Sequence, residues 1–189
     1  IHPAAVRPSR RLAQQPLAVA GSSLERAGTE LAYETVDWKP AEGGSLTEAL
    51  YEGYDLQSIR IAGARPHPTR LVQSAAMASV APPKPSYRPH LPSDAVSVGL
   101  LSDAQLESVI YAGEAHAGHL AGSWVVDETF DLVSAAPDDA ENAVRFRRGW
   151  MLGDGTGAGK GRQVAGILLD NWLKGRRRAV WVSRSDKLI

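Results

Sequence analysis

An α/β fold built on a parallel sheet is predicted for this 189-residue chain by three observations in its last fifty residues. The run GDGTGAGKG, residues 153–161, places glycine at every second position. Two short apolar stretches flank it, RRGWML before and AVWVS (179–183) after, and both read as strands. Between them Val164, Ile167, Leu168 and Trp172 fall on one face of a helix that ends at Lys174 and Gly175. Strand, turn, helix, strand is a βαβ unit with a right-handed crossover. Its loop then lies at the carboxyl edge of the sheet, where such sheets bind ligands.

The upstream elements follow in order. Residues 1–30 are rich in Ala, Pro, Arg and Ser without a sustained period and read as a disordered-looking tail or linker. Residues 31–80 hold strand-like pieces, LAYETVDW and LQSIRIAG, then HPTRLVQSAAMASV. They read as a small, mostly β accessory unit closing on a short helix. APPKPSYRPHLP carries five prolines in 12 residues, so 81–95 is expected to be an extended Pro-rich linker. The α/β domain then occupies 96–189. Its first helix is announced by Ser102 and Gln105, a capping box, with Leu101 and Leu106 as a hydrophobic staple. Leu106, Val109 and Ile110 mark its apolar face. Residues 123–148 read as an insertion of two strands around a polar turn at Pro137–Asn142.

Composition bounds the function. Hydrophobic residues make up 43% and charged residues 22%, as in ordinary globular chains. The absence of cysteine excludes disulfides and thiolate metal sites and fits a cytoplasmic setting. No run of 18 apolar residues exists, so no membrane partner is expected. The first residue is Ile1, and the chain reads as a piece of a longer protein. A net charge of zero hides an asymmetry: residues 145–189 carry 11 Lys/Arg against 3 Asp/Glu. Such a basic quarter suits a polyanion, either nucleotide phosphates or nucleic acid, although a solvated basic face would look the same.

The chemistry of the glycine run follows from its placement. Phosphate is cradled by main-chain N–H groups, and glycine clears side chains from that cradle while reaching positive φ without steric cost. Gly155, Thr156, Gly157, Ala158, Gly159, Lys160, Gly161 and Arg162 are therefore the candidate nucleotide-binding residues. Lys160 supplies the catalytic positive charge for the β- and γ-phosphates, and Arg162 a second. The full phosphate-loop pattern G-x-x-x-x-G-K-[ST] is broken by Asp154 at its first glycine and Gly161 at its hydroxyl position. A dinucleotide fingerprint and a methyltransferase-like G-x-G-x-G are also met formally. Both of those want an acidic residue about 20 positions on. That stretch reads Gly175-Arg176-Arg177-Arg178, and neither alternative needs Lys160. The triphosphate reading is preferred.

GDGTGAGKGRQVAGILLDNWLKGRRRAVWVSRSDKL closely resembles the strawberry notch family of helicase-like superfamily 2 ATPases, whose phosphate loop also has glycine after the lysine, then Arg and Gln. LPSDAVSVGLLSDAQLESVIYAGEAH is similar to the family's segment upstream of that loop, and HPTRLVQSAAMASVAPPKPSY to a region of its bacterial and phage members. The resemblance implies the opening half of a RecA-like sheet in an N-terminal fragment. It also implies ATP with Mg²⁺ as cofactors and nucleic acid, DNA in expectation, as partner. Gln105 sits where such helicases keep an adenine-reading glutamine, a role that competes with its place in the capping box. Ser183, Arg184 and Ser185 match a motif that touches the nucleic-acid backbone, or else form a plain polar loop. Thr156 is a candidate substitute for the missing hydroxyl. The family's acidic Mg²⁺ motif and arginine finger lie beyond Ile189, and Asp127–Thr129, which mimics the former, precedes the loop.

Two other functions stay open: a noncatalytic nucleic-acid-binding adaptor with a degenerate loop, and an S-adenosylmethionine-dependent methyltransferase. No metal site is expected. His116 and His119 lack a third ligand at suitable spacing.

Overall fold

A computed structural model describes residues 28–39 and 50–182. In chain order they form β1 (Gly28–Glu30), β2 (Glu34–Thr35), β3 (Tyr51–Gly53), β4 (Ile59–Arg60), β5 (Val72–Ser74) and α1 (Ala75–Ala78). There follow β6 (His90–Pro92), α2 (Asp94–Ser97), α3 (Asp103–Ala117), β7 (Ser123–Val126), β8 (Val133–Ala136) and α4 (Lys160–Leu173). Four antiparallel pairs result: β1 with β6, β2 with β4, β3 with β5, and β7 with β8.

The expected parallel sheet does not form among these residues. Apart from a single bridge between Arg147 and His119, residues 147–152 lie outside any ladder, as do 176–182. Met151, Val180 and Val182 are about nine-tenths exposed. A strand is completed by a partner, and in parallel sheets that partner is remote in sequence. Among the described residues only the antiparallel main-chain contact of residues 118–120 reaches the first segment, and none offers either segment a parallel ladder. The mixed α/β content stands, with small antiparallel pairs.

The core gathers around α3. Leu106, Val109 and Ile110 are fully buried, as their spacing predicts, against Leu31, Tyr33, Ile59, Ile61, Leu91, Ala95 and Leu101. Ser102 and Gln105 close the capping box at the start of α3. Helix α4 lies against α3 through Gly166, where a Cβ would stand 2.8 Å from Val109 Cγ2 and 3.1 Å from Leu101 Cδ1. Glycine is therefore what lets the two helices touch. The inward face of α4 is Gln163, Gly166 and Asp170, whereas Leu168 and Trp172 are exposed. The apolar stripe expected from the sequence thus turns partly to solvent, because hydrogen-bonded polar groups take the buried positions.

Residues 81–92 run extended and are stitched to both helices. Tyr111 Oη donates to the Pro83 carbonyl, and the Glu114 carboxylate accepts from the amides of Ser86 and Tyr87. Asp170 accepts from Tyr87 Oη at 2.6 Å and from the His90 amide at 2.7 Å. Lys174 lies 3.4 Å from the same carboxylate and 3.8 Å above the Tyr87 ring. Burial, then the Asp170 carboxylate, holds the Tyr87 phenol far above its ordinary range.

In the insertion, β7 and β8 pair across a turn at 127–132 rather than at Pro137–Asn142. The Asp127 carboxylate builds that turn by accepting from Thr129 Oγ1 and the amides of Asp131 and Leu132.

Candidate nucleotide site

The glycine loop feeds directly into α4. Gly157 (φ 97°) and Gly159 (φ 76°) both adopt the left-handed conformation, and Gly159 is the residue from which the helix starts. No side chain caps this start. The main-chain amides of residues 155–161 have no hydrogen-bond acceptor among the described residues. A row of unengaged N–H groups at the positive end of a 14-residue helix is a cradle for an anion.

Lys160 bridges the loop: Nζ donates to the carbonyls of Asp154 (2.7 Å) and Gly155 (3.0 Å). The ammonium is exposed and satisfied only by neutral oxygens. Phosphate oxygens are stronger partners for it. Thr156 and Arg162 are also exposed on the loop and on the first turn of α4. A Cβ at Gly161 would meet nothing within 4 Å, so packing does not account for the glycine there.

Two buried glutamines support the loop. Gln105 Nε2 donates to the Ala158 carbonyl at 3.0 Å, while its Oε1 accepts from the Ser102 amide at 3.1 Å. One carboxamide therefore completes the capping box of α3 and ties down the loop. Gly159 makes room for it, since a Cβ there would fall 2.4 Å from Gln105 Nε2. Gln163 Nε2 donates to Ala158 O (3.2 Å) and Asp154 Oδ2 (2.8 Å), and its Oε1 is buried without a donor among the described residues. Gln163 is absent from the sequence-derived site. The available signal was spacing: three residues after the lysine, one helical turn in, a side chain can turn back under the loop.

A cavity of about 520 Å³ opens beside the loop. Loop residues 153–158 form one wall, residues 69–74 leading into and forming β5 of the β3/β5 pair the other, and Ala104, Glu107 and Ser108 of α3 the floor. Glu107 is 5% exposed and accepts a hydrogen bond from Tyr54 Oη. Burial raises its carboxyl to about 7 and the Asp103 and Asp154 charges add to this, against the lowering effect of the Tyr54 bond. The same burial, with Glu107 beside it, pushes the Tyr54 phenol well above its usual range.

Ser183, Arg184 and Ser185 lie outside the described residues. The basic residues upstream of them do gather. Arg147 and Arg176, from opposite sides of the glycine loop in sequence, both act on His116, whose imidazole is held below its ordinary range first by burial and then by these two charges. His119 uses its carbonyl to accept from Arg148 Nε. Among the described residues no group of three or more His, Asp or Glu could hold a metal ion. No helix there is long and apolar enough to cross a membrane.

The loop lies within a segment that matches a known family. Residues 66–189 match the family described as P-loop containing NTP hydrolase pore-1. The chain belongs to that family. The NTP hydrolase pore-1 match starts at the proline-flanked His67 segment, so it takes in the β5 wall of the cavity as well as the loop. Relatives include protein strawberry notch of Drosophila melanogaster, 39% identical over 122 residues, covering 65% of this chain and 6% of the relative. Protein FORGETTER 1 of Arabidopsis thaliana is 32% identical over 153 residues, 81% of this chain and 10% of its own length. Protein strawberry notch homolog 2 of Homo sapiens is 38% identical over 122 residues, 65% of this chain and 7% of the relative. The chain thus spans a tenth or less of these relatives. No solved structure matches it. The family description supports a P-loop NTP hydrolase domain, which implies nucleotide binding.

Proposed function

We propose that this chain is the ATP-binding portion of a larger ATPase that couples hydrolysis to movement on, or remodelling of, nucleic acid. The carrying observation is the loop itself: unengaged amides over residues 155–161 with the Lys160 ammonium across them. In this reading the amides and Lys160 hold the triphosphate, positioning and charge neutralisation drive phosphoryl transfer to water, and Arg162 adds a charge at the rim. ATP fits these residues. Mg²⁺ would accompany it on phosphate oxygens and water, with Thr156 the nearest hydroxyl on the loop, while further acidic ligands would come from the remainder of the parent protein.

Gln105 acts by holding the loop at Ala158. DNA is the proposed polymer, met by Ser183, Arg184 and Ser185 at the end of the chain, with the arginines around His116 as a second basic surface. A cytoplasmic setting and a place among bacterial and phage members of the family belong to the same proposal, as does a RecA-like sheet completed by later strands. The units 1–30, 31–80, 81–95 and 96–189 remain our proposed divisions of the chain.

The test is Lys160→Ala in the full-length parent. ATP turnover is expected to fall by at least 100-fold, since a cation at the developing charge is worth several kcal/mol. Unchanged turnover would end the proposal. Asp154, a carboxylate at the mouth of the loop, favours the adaptor reading; absence of any nucleotide-dependent rise in melting temperature of the parent would select it.

A further inference from the structure

We infer that the cavity between the glycine loop and the β3/β5 strand pair receives the nucleoside end of the bound nucleotide, with Arg70 and Gln73 as its recognition residues. The inference rests on the triphosphate reading of the loop and adds to it the part of the ligand that the loop cannot read.

Three observations carry it. The first is the place of Gln105. Its carboxamide is 4% exposed, is bonded at its two ends to Ser102 and Ala158, and forms no part of the cavity lining. A base held beside the loop therefore has to be met by other groups. The second is the charge of the cavity. Asp154 lines it and would repel phosphate. The Glu107 carboxyl beside it is raised to about 7 by burial, and the one cation of the lining, Arg70, stands on the wall away from the loop. The phosphates are left to the loop amides and to Lys160, which is not among the residues lining the cavity. What suits the cavity is an uncharged body with hydroxyl and amine donors, which is the chemistry of a ribose and a base. At about 520 Å³ the space is of the size that encloses small ligands.

The third is the wall opposite the loop. Arg70 is exposed and makes no hydrogen bond or ion pair with any described residue. Its guanidinium lies over β3, 3.5 Å from where a Cβ of Gly53 would stand, so the bare glycine leaves it room. Gln73 commits only its Nε2, to Glu52 Oε1 at 3.3 Å, and keeps Oε1 for a donor. Met77, two-thirds exposed at the end of the same wall, presents an apolar surface to a planar ring. A guanidinium that can stack, a carboxamide acceptor and a thioether make a base platform on a segment with no part in the phosphate cradle.

The experiment measures binding of ATP and of inorganic tripolyphosphate to the full-length parent by calorimetry, in wild type, Arg70→Ala, Gln73→Ala and Lys160→Ala. Arg70 has no structural partner, so its removal leaves folding intact. The expected result for Arg70→Ala is ATP affinity weakened about tenfold and tripolyphosphate affinity within twofold of wild type; Gln73→Ala should follow in the same pattern with a smaller loss. Lys160→Ala should weaken both ligands. ATP affinity unchanged in Arg70→Ala and Gln73→Ala overturns the inference alone. Equal loss of both ligands in those variants also overturns it, because the strand pair would then be acting on the loop. Both ligands unaffected by Lys160→Ala overturns the underlying triphosphate reading instead.

Discussion

Two helix starts lie within one side chain's reach of each other, and they are built on opposite principles. At the start of α3 the Ser102 side chain accepts from the Gln105 amide, and Gln105 Oε1 accepts from the Ser102 amide. The donors of that first turn are all answered, that of Asp103 by the Arg65 carbonyl and the others by the turn itself, as a stable fold requires. At the start of α4 a left-handed glycine replaces the cap, no side chain bonds back, and the amides of 155–161 are left open. With glycine at the cap, such a start gives up only a few tenths of a kcal/mol of capping. On our proposal the difference separates a helix end that holds the fold from one left open for a ligand. Gln105 joins them, so the self-satisfied end fixes the geometry of the open one.

Breaking that link gives the largest expected effect. Gly159→Ala puts a Cβ 2.4 Å from Gln105 Nε2 at a residue with φ of 76°. The left-handed conformation costs about 1–2 kcal/mol and the overpacking about 1–3 kcal/mol more. A loss of about 4 kcal/mol in chemical denaturation is expected, with nucleotide binding lost as the loop shifts. Wild-type stability with intact binding would show that the two starts are not coupled through this glycine.

Glu107 lies one turn into α3, facing the loop, and gives the next effect. Its carboxyl titrates at about 7, against an ordinary value of 4.5. Between those two pH values the folded chain keeps a proton that the unfolded chain has released. Stability therefore falls as pH rises through that window and levels off above it. Glu107→Gln keeps an acceptor for Tyr54 Oη and removes the titration. The variant is expected to gain on the order of 2–3 kcal/mol over wild type at pH 8 and to match it near pH 4.5. Parallel urea titrations at several pH values would read this directly; curves that stay parallel to wild type would place the titration elsewhere.

How much of this was legible depends on whether the determinant is local. The capping box at Ser102 and Gln105 and the glycine loop were readable, because each is specified within a few residues. The C-terminal signal at Lys174 and Gly175 was readable for the same reason, and Gly175 does adopt a φ of 86°. What failed was everything that depends on a partner. RRGWML and AVWVS have strand composition, yet they find no ladder among the described residues. The inward face of α4 was misread because Gln163 and Asp170 are polar, and only the Ala158 and Asp154 acceptors and the Tyr87 and His90 donors explain their burial. The turn at 127–132 was missed because Pro137–Asn142 has the more obvious turn composition, while Asp127 builds its turn through side-chain bonds to Thr129, Asp131 and Leu132. Arg70 was invisible as a site residue, since nothing in TRLVQS announces that it will stand opposite a loop more than eighty residues on.

The smallest effect tests the open start from its other side. Gly161 is the position where phosphate loops carry a hydroxyl, and it sits in the first turn of α4 with nothing within 4 Å of a built Cβ. Steric exclusion therefore does not explain the glycine. Gly161→Ser should raise stability slightly, by about 0.3–0.5 kcal/mol, since serine costs a helix less than glycine does. If the open amides and Lys160 alone hold the triphosphate, ATP affinity without Mg²⁺ should stay within twofold of wild type. A new hydroxyl beside the phosphates would show only as a larger Mg²⁺-dependent gain in affinity. A loss of stability on melting would mean that the exposed first turn is packed against something in the parent protein, and the contrast between the two helix starts would then be one of burial rather than of capping.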